Sequence, residues 1–148
     1  MSTLTNTQNR IEGVATLKLW WVALAAGAAA LLGNLIIFFV GQNLLGLSLM
    51  IPQAPGSSTA LVPLTIGPIV GASIVPAIGA AVLLAILGRF VKRPFRVFQI
   101  VAAVILLLSF GGPLNLPIGG AEKVVMVVMH VVTAAVIVGV LSVLGRKQ

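Results

Sequence analysis

The chain carries little with which to do covalent chemistry. It has one histidine, no cysteine and no tyrosine, and its two carboxylates, Glu12 and Glu122, lie far apart. No carboxylate pair, nucleophile triad or metal cluster can be assembled from that set. Gly-rich nucleotide loops are missing as well, so the reading is not an enzyme, with no catalytic residue, metal or cofactor. What remains is a few polar side chains set in long apolar runs: Asn34, Ser73, His130 and Thr133. Where no water is at hand, such groups either bond to one another between helices or mark the place where a ligand is held. Thr133 follows His130 by one helical turn and Lys123 precedes it by two, which puts the three on one stripe.

The charges show what surrounds these groups. Residues are 59% hydrophobic and 7% charged, against about 25% charged in soluble domains. From Leu19 to Gly88 there is no charge at all. The net charge of +7 and pI near 11.8 do not point to nucleic acid, because the basic residues sit in gaps between apolar runs instead of on one folded face. A bilayer core of roughly 30 Å takes about 20 apolar residues as helix, since hydrocarbon leaves no partner for a free backbone group. Four stretches satisfy this or nearly do, at about 19–41, 64–88, 94–110 and 123–144. Pro94 suits a first helical turn, Gly111-Gly112-Pro113 stops the third helix, and Glu122 suits the dipole at the start of the fourth.

The fold class expected is therefore an all-α integral membrane protein, a four-transmembrane-helix bundle. Its parts are a disordered tail over 1–17, one membrane domain over 18–145 and a C-terminus over 146–148. The first helix is too long for a signal-peptide core of 7–15 residues and is read as retained. Arg10, Lys18, Arg89, Lys92, Arg93, Arg96, Arg146 and Lys147 fall on one side of that topology and Lys123 alone on the other. Cytoplasmic loops carry the excess of Lys and Arg, so both termini are expected in the cytoplasm of a bacterium, with the chain in the plasma membrane.

Counted at 1.5 Å per residue from the outer ends, Asn34, Ser73 and His130 lie roughly 10–13 Å deep. One hydrogen-bonded layer is expected from the three. It reads either as glue between helices or as a site in which His130 contacts a ligand or senses pH, imidazole being the side chain that ordinarily titrates near neutrality.

Two small-xxx-small ridges, Gly67, Gly71 and Gly79 in the second helix and Ala25, Ala29 and Gly33 in the first, are expected to bring backbones together, within one chain or between two copies. Pro76 should free a carbonyl that Ser73 or a neighbouring helix could satisfy. The outer connections, 42–62 and 111–120, are too apolar for solvated loops. They read as lids or headgroup-lying segments, or as the lining of an apolar pocket or docking face. The basic loop of Arg89, Lys92, Arg93 and Arg96, flanked by Phe90, Phe95 and Phe98, suits contact with anionic lipid. Trp20 and Trp21 sit where an aromatic belt belongs.

Several motifs carry a resemblance. Trp20-Trp21 opens an Ala-rich helix, and Pro52-Gln53 is followed by Leu61-Val62-Pro63-Leu64-Thr65. Further on come Arg93-Pro94-Phe95-Arg96-Val97-Phe98, Leu108-Ser109-Phe110-Gly111-Gly112-Pro113-Leu114, and Lys123 to His130 in Lys-Val-Val-Met-Val-Val-Met-His. From about Trp20 to Leu144 the chain resembles a family of small bacterial four-helix membrane proteins known as a domain of unknown function. The resemblance implies the four-helix architecture and brings no activity. The leading expectation is an accessory or structural protein that binds a partner protein or lipid through its outer half. The alternative is a small transporter or channel that is not proton-coupled, with a homo-oligomer as one of its forms. The partners expected are the lipid bilayer and a membrane protein or second copy, with no nucleic acid.

Overall fold

Small side chains decide which helices touch. The computed structural model describes residues 13–54 and 60–147. In it the first long helix, α1 (Leu19–Phe39), packs most extensively against α2 (Ile66–Phe90) and α5 (Gly120–Leu144). Its contact face is Ala23, Ala26, Gly27, Ala30 and Asn34, all buried, opposite Ser73, Ala77 and Ala81 at four-residue spacing on α2. A Cβ on Gly27 would sit 2.9 Å from Cδ1 of Ile74 and 3.3 Å from Cβ of Ala77, so the two backbones approach as closely as glycine allows. Lipid tails are as apolar as leucine, and such close van der Waals contact is what holds helices together in them.

Four helical segments, Thr16–Leu44, Ile66–Phe90, Pro94–Asn115 and Gly120–Leu144, are long and apolar enough to cross a membrane. The protein is an all-α membrane bundle. The third segment is α3 (Pro94–Ser109), and Gly111-Gly112-Pro113 does not end it outright. The chain turns at Phe110 and continues as a short α4 (Gly111–Asn115), where proline is tolerated because the first turn needs no N–H from it.

Within the chain, most of the ridge positions foreseen from glycine spacing do not pair. A Cβ on Gly67, Gly71 or Gly79 would meet nothing within 4 Å, and Ala25 and Ala29 are exposed. Of that set only Gly33 faces a neighbour, Val132 of α5.

Residues 13–15 and 145–147 meet at the end that carries Lys18, Arg89, Lys92, Arg93, Arg96, Arg146 and Lys147. The tail foreseen as disordered falls mostly outside the described residues, but its last part is built into the fold. Val14 pairs with Arg146 in a single antiparallel bridge, the Ala15 N–H donates to the Gly145 carbonyl at 2.9 Å, and the Lys147 N–H to the Gly13 carbonyl at 2.8 Å. Val14 is buried against Gly88, where a Cβ would come within 2.6 Å of it. Phe95 and Phe98 are also buried here, each 1% exposed, with the Arg146 guanidinium 4.5 Å from the Phe95 ring centroid. They form core at the basic end and do not anchor headgroups; only Phe90 of the three foreseen aromatics faces outward.

At the opposite end the first connection folds back over the bundle. Past a π turn (Val40–Leu44) and Gly46, whose φ of 62° favours glycine, the chain forms a two-stranded ribbon of β1 (Met50–Pro52) and β2 (Leu61–Pro63). The Leu64 N–H donates to the Leu49 carbonyl at 2.8 Å. Leu49 and Leu64 are buried with Phe38, Ile69 and Met129 in an apolar cluster separate from the main core. The turn foreseen at Pro55-Gly56-Ser57-Ser58 lies outside the described residues.

Candidate ligand-binding site

Only Pro94, Phe95 and Phe98 of α3 are buried. The rest of that helix stands away from its neighbours, and the gap between α2, α3 and α5 is a cavity of about 700 Å³, within the range of small-molecule sites. Its cause is in the sequence. Ala72, Pro76, Gly79 and Ala80 on α2 face Ala102 on α3 and Ala134 on α5, and such small side chains leave the space unfilled. Along α2 the wall runs from Pro68 to Leu83, roughly 22 Å at 1.5 Å per residue. Ile51 of the ribbon and Leu64 just after it border one end, and Leu83 and Phe98 lie toward the other. The shape is a slot that an extended chain fits, and it reaches well past the outer half in which sequence placed any binding.

Two polar side chains of the wall, Asn34 and Thr133, form a network with Ser73 that has a defined sense. Asn34, 2% exposed, donates from Nδ2 to Ser73 Oγ at 3.1 Å and to Thr133 Oγ1 at 2.7 Å. Each hydroxyl in turn donates to the carbonyl one turn earlier, Ser73 to Ile69 at 2.9 Å and Thr133 to Met129 at 2.8 Å. The assignment of the amide follows from that sense. Both hydroxyls have already given their proton to a carbonyl, so what they offer Asn34 is lone pairs, and only its NH₂ group can use them. Asn34 Oδ1 is left buried with no hydrogen-bond partner among the described residues.

Sequence placed Asn34, Ser73 and His130 in one layer; the structure brings Thr133, not His130, onto Asn34. His130 Nδ1 lies 2.8 Å from the Met126 carbonyl of its own helix, and the ring lines the slot. Lys123 is not part of the network either. Its Nζ donates to the Leu114 carbonyl at 2.9 Å, tying α5 to the end of α4. Ser73 does not serve the carbonyl that Pro76 frees, which belongs to Ala72; its hydroxyl goes to Ile69. Arg89, Lys92, Arg93 and Arg96 are all exposed at the basic end.

Ser109 was missed as a wall residue. Its Oγ donates to the Leu106 carbonyl, and the only sign of it in sequence is a lone hydroxyl on the third helix. The pair formed by Gln99 Nε2 and Ser142 Oγ at 3.2 Å, nearer the basic end, satisfies the polar side chains there.

With the bundle and its slot defined, the class is an integral membrane protein of four long apolar helices. A family model described as "Family of unknown function (DUF6069)" matches residues 14–147, and the chain belongs to that family. No curated protein and no solved structure matches it.

Proposed function

We propose that this is a non-enzymatic accessory protein of the bacterial plasma membrane, with both termini inside, and that it holds a lipid-like molecule between α2, α3 and α5. The observation that carries the reading is the slot itself: 700 Å³, long, apolar over most of its wall, and polar at one patch where His130, Thr133 and Asn34 meet it. Surrounding lipid can only fill such a gap well if a molecule of fitting shape takes up residence, since loosely occupied space forfeits dispersion contacts along the whole wall. The exposed cations at the other end, Arg89, Lys92, Arg93 and Arg96, suit anionic headgroups and hold the bundle in register with the inner leaflet.

Polar side chains give out below Thr133. The Gln99–Ser142 pair does not line the slot, so no continuous polar path supports a channel or polar-solute carrier. Native mass spectrometry of the full chain extracted in mild detergent tests the proposal. The wild type should retain a small apolar molecule in defined stoichiometry, and Gly79→Leu, whose side chain enters open space at the wall, should lose it. A wild type that arrives empty, or a Gly79→Leu variant that keeps the same adduct, would overturn the reading.

A further inference from the structure

Every side-chain donor on the wall of the slot is already spent inside the protein. The Thr133 hydroxyl donates to Met129 at 2.8 Å and the Ser109 hydroxyl to Leu106 at 2.6 Å. Both hydrogens of the Asn34 amide go to the Ser73 and Thr133 oxygens. His130 is committed in the same way. Its Nδ1 faces the Met126 carbonyl at 2.8 Å, and a carbonyl oxygen only accepts, so Nδ1 carries the proton. In the neutral ring that leaves Nε2 as a lone-pair acceptor.

What is left over is acceptors alone. Nε2 of His130 is one, and Oδ1 of Asn34 is buried without a partner among the described residues. The Ala72 carbonyl has lost its ordinary i+4 donor because Pro76 has no N–H, and Ala72 and Pro76 both line the slot. The nearest cation of α5, Lys123, does not line it.

Resting on the reading of the slot as a lipid site, we infer that it selects an apolar chain whose polar end is a hydrogen-bond donor, a neutral alcohol-headed lipid, with the hydroxyl on His130 Nε2 and the chain running toward Phe98. An ester, ether, ketone or carboxylate would set lone pairs against lone pairs in a medium of low dielectric, where an unmatched polar group is costly.

The test titrates the detergent-solubilised full chain with three probes of equal chain length, 1-hexadecanol, its methyl ether and hexadecanoate. It reads bound fraction by native mass spectrometry. The alcohol should bind roughly tenfold more tightly than either of the others, the worth of one hydrogen bond. His130→Phe should bring alcohol and ether level while both still bind, and Gly79→Leu should remove all three.

Equal binding of alcohol and ether by the wild type would overturn donor selection while leaving the slot as a lipid site, provided Gly79→Leu still abolishes it. A preference that survives in His130→Phe would overturn the role of Nε2. Failure of all three probes to bind the wild type would overturn the slot reading and this inference with it. The comparison of alcohol with ether needs no variant, so it stands even if His130→Phe does not fold.

Discussion

Asn34 is the residue whose balance sheet can be worked out. Its two Nδ2 bonds join three helical positions, but a side-chain hydrogen bond inside a membrane contributes only about 0.6 kcal/mol. Against that stands Oδ1, buried without a partner among the described residues, at a cost of about 1–3 kcal/mol. Neither hydroxyl depends on the amide, since each keeps its own carbonyl one turn back. Leucine, of similar shape, should therefore be no worse than asparagine. Asn34→Leu is expected to leave the unfolding free energy unchanged or to raise it by up to about 1 kcal/mol, whereas Asn34→Ala, which opens a void, should lower it by about 1 kcal/mol. Thermal melting in one detergent ranks the two. A Leu variant that melts below the Ala variant would mean that the amide network holds the bundle together and that the accounting of its bonds is wrong.

At the level of helices, the four spans were legible because hydropathy and Pro-Gly punctuation report the solvent of the chain directly, whatever packs against what. The register of packing was not. In α1, alanine or glycine occupies Ala23, Ala25 to Ala30 and Gly33, so small residues line nearly every face and spacing alone cannot choose among them. The layer shows a related limit. Counting residues gives depth and so paired Asn34 with Ser73, but it gives no direction around the axis. His130 and Thr133 lie about 60° apart around α5, enough to turn one toward the slot and the other toward α1. The ribbon of Met50–Pro52 and Leu61–Pro63 was hidden because three-residue strands in an apolar run have no period to read. A pair of substitutions checks the register observed. Gly27→Leu must push against Ile74 and Ala77, from which even a Cβ would be 2.9 and 3.3 Å away, and should cost about 1–3 kcal/mol by overpacking. Gly71→Leu enters open space and should change stability by no more than about 0.5 kcal/mol. Equal losses from the two would restore the ridge foreseen from spacing.

For the molecule as a whole, the distribution of cations and the meeting of the termini make one statement about topology. Residues 13–15 and 145–147 are joined by backbone hydrogen bonds, so both ends leave the bundle on the same side, together with the loop bearing Lys92 and Arg93. Cytoplasmic loops carry the excess of Lys and Arg, and the opposite end has only Lys123, already held on the Leu114 carbonyl. We expect the basic end inside, in a single orientation. The chain has no cysteine, so single substitutions report cleanly. In intact cells treated with a membrane-impermeant maleimide, Ser48→Cys and Ala121→Cys, both exposed at the ribbon end, should label. Thr16→Cys and Lys92→Cys, exposed at the other, should label only after permeabilisation. The reverse pattern would invert the protein in the membrane, and with it the direction from which a ligand reaches His130; labelling of all four in intact cells would show that the charges do not fix one topology.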